Sequence, residues 1–219
     1  METRRRLSED GRPLNEVVAG LIRADIITGR FAPGDRLAEE RLAKQYSMSR
    51  NPIREAIRRL ESEGFVEVLP NRGATVSRMT VERARELLQV RSALETLVVR
   101  LAATERTDAQ LAALDRIVSD GQAAVADGRY EDLADLNSQF HALLADASTN
   151  HTLTTIISQL QDKIAWVYVS KLDARAEDSW AEHEAMLDAI RARDAELAVG
   201  LMAGHIANAE AAYEVRHPD

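Results

Sequence analysis

Cysteine is absent from the 219-residue sequence, and this absence excludes several classes of site. Disulfide bonds, thiolate-ligated metals and a cysteine nucleophile all require that residue. The absence also fits a reducing compartment, and we expect a cytoplasmic location. No apolar run approaches the roughly 18 residues that a membrane helix needs, so we expect no membrane partner. The opening residues METRRRLSED lack the apolar core of a secretory signal.

Net positive charge is also missing, since the formal charge is −8 at pH 7. The charge is distributed unevenly along the chain, however. Residues 1–79 hold 15 Lys and Arg against 12 Asp and Glu, a net charge of +3, whereas residues 80–219 carry −11. A slightly basic segment joined to an acidic one is typical of a DNA-binding domain attached to a domain that does not touch DNA. We therefore predict a domain boundary near residue 79.

The first domain has the pattern of three helices followed by a β-hairpin. Apolar residues recur at helical spacing in three segments, and the predicted helices span 14–28, 39–46 and 50–63. Ser49 is placed to cap the third helix, and Gly64 stops it. Two β-prone segments, 65–69 and 74–77, flank a turn that contains a glycine. This order of elements predicts a winged helix-turn-helix.

The third predicted helix carries polar side chains on the side away from its apolar stripe. These residues are Arg50, Asn51, Arg54 and Arg58. Side chains at the start of a recognition helix can reach base edges in the major groove, where Arg suits guanine. An Arg-rich helix face is more often simply solvated, so this pattern alone leaves both interpretations open.

Three stretches of the first domain resemble the GntR family of bacterial regulators. They are PGDRL, LAKQYSMSRNPIREAIRRLESEGFV and PNRGATV, and the resemblance as a whole extends over roughly residues 13–78. The resemblance implies a transcription regulator whose DNA contacts are Arg36, Ser49, Arg50, Asn51, Arg54, Arg72 and Gly73, the last two at the wing tip. Asn51 replaces a common Thr, and Asn can read adenine, so we expect a different base preference there. Glu40 stands where some relatives have a basic DNA contact.

The second domain is predicted to be helical throughout. After residue 79 there is a single proline, Pro218, and no strand-like alternation. The predicted helices span 80–105, 108–127, 130–147, 150–171, 176–192 and 194–215. The apolar stripe from Leu87 to Leu101 predicts that the first helix is long and largely buried. The whole chain is therefore predicted to be mainly α, with an N-terminal winged helix-turn-helix and a C-terminal all-α helical bundle.

Three of the five histidines lie on or beside apolar stripes of three different predicted helices. They are His141, His183 and His205, and Asn137 lies four residues before the first of them, on the same helix face. If the helices form one bundle, three imidazoles and an amide oxygen converge. Imidazole suits Zn, Ni, Cu or Fe, and a three-His site keeps positions open for another ligand. The alternative is three hydrogen-bonded core histidines.

The segments around these histidines resemble the FCD ligand-binding domain of FadR-type GntR regulators. The matching stretches are LNSQFHALL, EHEAMLDAIRARD and MAGHIA, and six helices resemble the shorter, VanR-like branch. The resemblance implies that residues 80–219 bind an effector and dimerise. It also implies that a divalent metal, with Zn the first candidate and Ni or another transition metal as alternatives, is held by Asn137, His141, His183 and His205. Arg91 corresponds to an arginine that faces the effector cavity.

The neutral ligand set suggests what the effector is. Three imidazoles and an amide leave the charge of a divalent ion uncompensated. A bound carboxylate would supply negative charge and an oxygen ligand, and Arg91 could bind the same carboxylate through two hydrogen bonds. We therefore predict a small organic-acid effector that controls the affinity of a homodimeric repressor for a pseudo-palindromic operator on double-stranded DNA.

Three alternatives remain open from the sequence. Arg91 can instead form a surface ion pair with Glu95, four residues further along the helix. The metal itself can be the signal. A metal-dependent hydrolase with Glu182 or Glu184 as base is the third alternative, although the sequence contains no H-E-x-x-H motif, nucleophile elbow or phosphate loop.

Overall fold

A computed structural model describes residues 11–69, 73–168 and 175–216 of the chain. The fold divides into two compact units, residues 1–79 and residues 80–219. Within the described residues there are nine α-helices, one short 3-10 helix and one two-stranded sheet. This mainly α architecture confirms the fold class predicted from the sequence.

The first unit is a small helical bundle that carries a hairpin. Helices α1 (Leu14–Ile27) and α2 (Glu39–Gln45) both pack on α3 (Arg50–Ser62). The buried face of α3 consists of Ile53, Ala56, Ile57 and Leu60. Their spacing of three, one and three residues places them on one side of a helix, so the opposite side of α3 is left for polar residues.

The start of α3 differs from the prediction. Ser49 occupies the N-cap position with φ −76° and ψ 164°, but its side chain accepts no capping hydrogen bond. The Ser49 hydroxyl is therefore not committed to the helix end. The end of α3 follows the prediction, because Gly64 has a φ of 83°, a backbone conformation that residues with a Cβ rarely adopt.

The hairpin consists of β1 (Val66–Leu69) and β2 (Gly73–Val76), which pair antiparallel. Gly73 follows the turn with a φ of 77°, so the turn glycine has the unusual backbone angle expected of it. Arg36, from the segment between α1 and α2, forms an isolated β-bridge with the second strand. This bridge places Arg36 beside the wing. The predicted wing-tip residue Arg72 lies outside the described residues.

In the described part of the second unit, all regular secondary structure is helical. Its α-helices are α4 (Val81–Glu105), α5 (Asp108–Ala126), α6 (Leu133–Ala147), α7 (His151–Tyr168), α8 (Ala176–Arg191) and α9 (Ala195–Arg216). These correspond to the six predicted helices, except that the predicted third helix begins with a 3-10 turn at Tyr130–Asp132. In the described part of the chain, no helix is both long and apolar enough to cross a membrane.

Helix α4 is the central element of the second unit, since it contacts α6, α7, α8 and α9. Thr80 fixes its start, because the Thr80 side chain accepts a hydrogen bond from the backbone N–H of Arg83. Along its length, α4 packs most extensively against α9. Residues on the inner face of α4 are therefore surrounded by the other helices, which is the position a buried site requires.

Only one face of α4 is buried, which corrects the prediction of a largely buried helix. Val90 is 51% exposed and Leu97 is 43% exposed. They belong to a stripe with Leu87, Leu94 and Leu101, whose members are separated alternately by three and four residues. This heptad spacing is typical of a helix that packs against a second helix. The sequence pattern does not distinguish apolar residues buried within one chain from those that another chain covers.

Candidate metal centre and DNA-reading surface

Three histidines from three helices converge inside the second unit. His141 on α6, His183 on α8 and His205 on α9 each place a ring nitrogen within 4.8 Å of the others. All three are buried, with exposed fractions of 7%, 0% and 3%. The structure therefore brings together the three imidazoles that the sequence pattern singled out.

His183 lacks hydrogen-bond partners although it is fully buried. Neither of its ring nitrogens has a partner among the described residues. An unsatisfied buried polar group costs about 1–3 kcal/mol, so two such nitrogens on one ring need an explanation. A metal ion would accept the lone pair of one of them. This observation favours a metal centre over three ordinary core histidines.

Aromatic packing fixes the orientation of the His183 ring. Phe140 stacks on it with ring centroids 4.1 Å apart, and Trp180 meets it edge to face at 4.8 Å. Trp180 itself lies tightly against Gly121 of α5, where an added Cβ would fall 2.2 Å from the Trp180 ring. A glycine at this position therefore makes room for the tryptophan that supports the histidine.

Carboxylates orient the other two imidazoles. Nδ1 of His141 donates to Oε2 of Glu95 at 2.9 Å, and Nδ1 of His205 donates to Oε2 of Glu182 at 2.6 Å. Asn208 also donates to Glu182, at 2.8 Å, and so holds that carboxylate in place. An imidazole that donates through Nδ1 keeps its lone pair on Nε2, and carboxylate–imidazole pairs of this kind commonly support metal ligands.

The electrostatics of the cluster keep the imidazoles neutral. Burial lowers the pKa of His141, lowers the pKa of His183 well below its ordinary value, and lowers the pKa of His205 to about 4. For Glu95, burial acts to raise the pKa, but the charge of Arg91 and the hydrogen bonds from His141 and Arg91 outweigh it, and the pKa falls. Neutral imidazoles are the form that binds a metal ion.

Arg91 is buried beside this cluster, which corrects the alternative of a surface ion pair. Only 1% of Arg91 is exposed. Its Nε and Nη2 donate to the Glu95 carboxylate at 2.8 and 3.2 Å. Its Nη2 also lies 2.9 Å from Nε2 of His141. The alternative named the correct partner, Glu95, but the ion pair is buried and does not lie on the surface. Sequence reasoning did not assign Glu95 a place at the site.

A cavity of about 20 Å³ adjoins the cluster between α4, α6 and α7. Its polar lining residues are Arg91, Glu95, Asn137, Ser138, His141 and Gln161. Asn137 is half-buried there, one helical turn before His141. The volume is sufficient for one water molecule, so a larger ligand enters only if side chains move. Glu95 and Arg91, which bind each other, are the charged groups that such a ligand would meet.

The first unit has a charged groove between α2, α3 and the hairpin. Arg50 and Arg54 line it, with 60% and 48% of their side chains exposed. Arg36, Arg58 and Gly73 line the same groove. Ser49 and Asn51 are exposed at the start of α3. The predicted DNA contacts that the structure describes therefore lie around this groove or at the adjoining helix end.

Acidic residues of α2 pair with Arg50 and Arg54 of α3. Arg54 donates from Nε and Nη2 to the two carboxylate oxygens of Glu39, each at 2.9 Å. Arg50 lies 4.0 Å from Glu39 and 3.9 Å from Glu40. The hydrogen bond from Arg54 is the main cause of a lowered pKa at Glu39. Sequence reasoning noticed Glu40 but missed Glu39, because a pair across two helices has no signature in residue spacing.

Comparison with known proteins identifies the family. Residues 14–76 match the family model of bacterial regulatory proteins of the gntR family, and residues 86–208 match that of the FCD domain. The chain belongs to the GntR family and carries an FCD domain. This FCD protein is therefore a transcriptional regulator and not an enzyme, which removes the hydrolase alternative.

Individual relatives agree with this assignment. The regulator is 31% identical to the HTH-type transcriptional regulator YdhC of Bacillus subtilis over 79% of each chain. It is 26% identical to the HTH-type transcriptional repressor RspR of Escherichia coli, covering 89% of this chain and 86% of RspR. Among solved structures, McbR/YncC of E. coli matches with a TM-score of 0.80 and 26% identity, over 94% of this chain and 99% of that one.

Proposed function

We propose that the regulator is a homodimeric repressor that binds a pseudo-palindromic operator through α3 and senses an organic acid beside a metal ion in its FCD domain. The sensory half of the proposal rests chiefly on His183, whose two buried nitrogens have no hydrogen-bond partner in the described part of the chain. Similarity to RspR, which is named a repressor, supports the sign of regulation.

The DNA-binding half rests on the polar face of α3. Arg50, Arg54 and Asn51 are exposed there and suit the edges of guanine and adenine in the major groove. The uncommitted hydroxyl of Ser49 suits a backbone phosphate. The proposed contacts remain Arg36, Ser49, Arg50, Asn51, Arg54, Arg72 and Gly73. Because two recognition helices would contact several phosphates, operator affinity should fall steeply with salt.

In the FCD domain, His141, His183 and His205 would hold the metal ion, and Asn137 is the fourth candidate ligand. Their neutral imidazoles and buried position suit zinc first and nickel or another transition metal second. Glu182 would hold the His205 ring in the tautomer that leaves Nε2 available. Nε2 of His141 would become available once Nη2 of Arg91, which lies 2.9 Å from it, moves aside. When bound, the ion supplies a positive centre with positions open to an oxygen ligand.

An acid effector in the adjoining cavity would have to exchange with a resident carboxylate. Arg91 already binds Glu95 through two hydrogen bonds, so an incoming acid would replace Glu95 on one or both of them. This exchange would move α4 side chains at the centre of the domain. A ligand that binds two arrangements of α4 with different affinity shifts the population between them.

The homodimer rests on the exposed stripe of α4. Its heptad spacing, with Val90 and Leu97 largely exposed in the single chain, suits a second copy of α4. A pseudo-palindromic operator also requires two copies of α3 related by a two-fold axis. A second copy of this chain is thus the partner that satisfies both requirements.

Calorimetry on the zinc-loaded protein tests the effector. Acetate, succinate and citrate are the acids, and acetamide and succinamide are neutral controls of similar shape. We expect at least one acid to bind, and Arg91→Gln to weaken its binding by about ten-fold or more, because a hydrogen bond to a charged group contributes about 1.5–3 kcal/mol. Binding of the amides with no binding of any acid would overturn the acid effector.

The second candidate is a regulator for which the metal ion is the signal. The contact between Arg91 and Glu95 favours it, because that ion pair leaves the cavity with balanced charges before any acid arrives. In this case zinc alone changes operator affinity, and acids have no further effect.

A further inference from the structure

Glu39 holds the guanidinium of Arg54, one of four exposed arginines that line the groove. The two hydrogen bonds from Nε and Nη2 of Arg54 engage one edge of the guanidinium. A guanidinium has five N–H donors, so three remain for another acceptor. The Arg54 side chain is 48% exposed and would otherwise sample many rotamers. Its pairing with Glu39 therefore orders a base-reading group before DNA arrives, which reduces the entropy lost on binding.

The same carboxylate changes what Arg54 can bind. A phosphate is negatively charged, and Glu39, with Glu40 nearby and Glu61 lining the same groove, repels it. The acceptor edge of guanine is uncharged and is not repelled in this way. Arg36, Arg50 and Arg58 supply positive charge elsewhere around the groove and can hold phosphates. The arrangement favours base recognition over phosphate contact at Arg54 in particular.

We propose that Glu39 is a specificity-determining positioning residue: it holds Arg54 in the orientation that reads a base and disfavours phosphate contact by that arginine. This proposal rests on the proposed function of α3 in reading DNA. It predicts that Glu39 contributes to the ratio between operator affinity and non-specific affinity, rather than to DNA affinity as such.

The test compares Glu39→Gln with Glu40→Gln in the full-length protein. Both changes remove one negative charge from α2, but Glu40 lies 3.9 Å from Arg50, does not hold Arg54, and has a side chain that is 77% exposed. The probes are a duplex selected by the wild-type protein from a random pool and a scrambled duplex of the same composition. Fluorescence anisotropy at two salt concentrations gives the affinity ratio, and circular dichroism confirms that each variant is folded.

For Glu39→Gln we expect tighter binding to the scrambled duplex, weaker binding to the selected duplex, and a ratio that falls by about ten-fold, as for loss of one good base contact. Glu40→Gln should leave the ratio within about two-fold, because it removes charge without releasing Arg54. Glu39→Asp keeps the negative charge on a shorter side chain. Its affinity for the selected duplex should therefore fall while its affinity for the scrambled duplex stays unchanged, and the affinity ratio falls for that reason alone.

If Glu39→Asp keeps the wild-type ratio between affinity for the selected duplex and affinity for the scrambled duplex, the positioning role is overturned. Equal falls in that ratio for Glu39→Gln and Glu40→Gln would overturn it too. Failure of the wild-type protein to select any duplex is a different result. It would contradict the proposed function of α3 itself.

Discussion

Replacing Arg50 and Arg54 together with alanine should reduce operator affinity by about 30-fold or more, since each good arginine contact to a base contributes about 1–3 kcal/mol of discrimination. Both side chains line the exposed groove of the first unit. Neither belongs to its buried core, so the fold should survive the change. Titration of the selected duplex by fluorescence anisotropy measures the loss, and binding to a scrambled duplex should fall much less.

A matched control comes from α4. Arg85 and Arg100 are also about half exposed and paired with acidic residues, Glu214 and Glu196. Replacing these two with alanine removes the same charge and similar surface ion pairs, and should leave operator affinity within about two-fold, because exposed ion pairs contribute little to stability. If the α3 double variant is a folded dimer with wild-type operator affinity, α3 is not the recognition helix.

Replacing His183 with leucine should have opposite effects on the stability of the folded protein with and without metal. In the chelated protein, leucine removes two buried nitrogens that lack partners, each costing about 1–3 kcal/mol. It also loses the stacking on Phe140, worth about 0.5–1.5 kcal/mol. The chelated variant should therefore be more stable than the wild type by about 0.5 kcal/mol or more. Thermal unfolding in excess chelator measures this difference.

With zinc bound, the wild type should be more stable than His183→Leu. A ligand that binds only the folded state stabilises it by about 4 kcal/mol at 1,000 times its Kd, and His183→Leu should lose most of that gain because only two of the three imidazoles remain. His151→Leu, at an exposed histidine at the start of α7, is the control and should respond to zinc as the wild type does. Destabilisation of the chelated His183→Leu variant with an undiminished zinc response would show that His183 is an ordinary core residue.

The histidine cluster was predictable from the sequence because each imidazole lies on or beside an apolar stripe, and the stripes of a helical bundle must face a common core. The six helices of the second unit were predictable for the same reason. The identity of the helices that meet at the site depends on their packing, which spacing does not determine. Glu182 was therefore considered only as a base in the hydrolase alternative, whereas in the structure it binds His205.

Burial was the harder property to predict on α4. The spacing of Arg91 and Glu95 is the same for an exposed ion pair and for a buried one, and only the surrounding helices make this pair buried. Val90 and Leu97 show the reverse case. Their apolar stripe predicts that they are buried, but both are largely exposed in the single chain. In both cases the missing information was which side of α4 faces the other helices.

The most direct test of the account is the operator affinity of the full-length dimer in four conditions: chelator alone, zinc alone, acid with chelator, and zinc with acid, using the acid that binds best in calorimetry. We predict that operator affinity changes by about 5-fold or more only when zinc and acid are both present, the usual size of an allosteric coupling. The same operator affinity in all four conditions would contradict the claim that the histidine centre controls DNA binding.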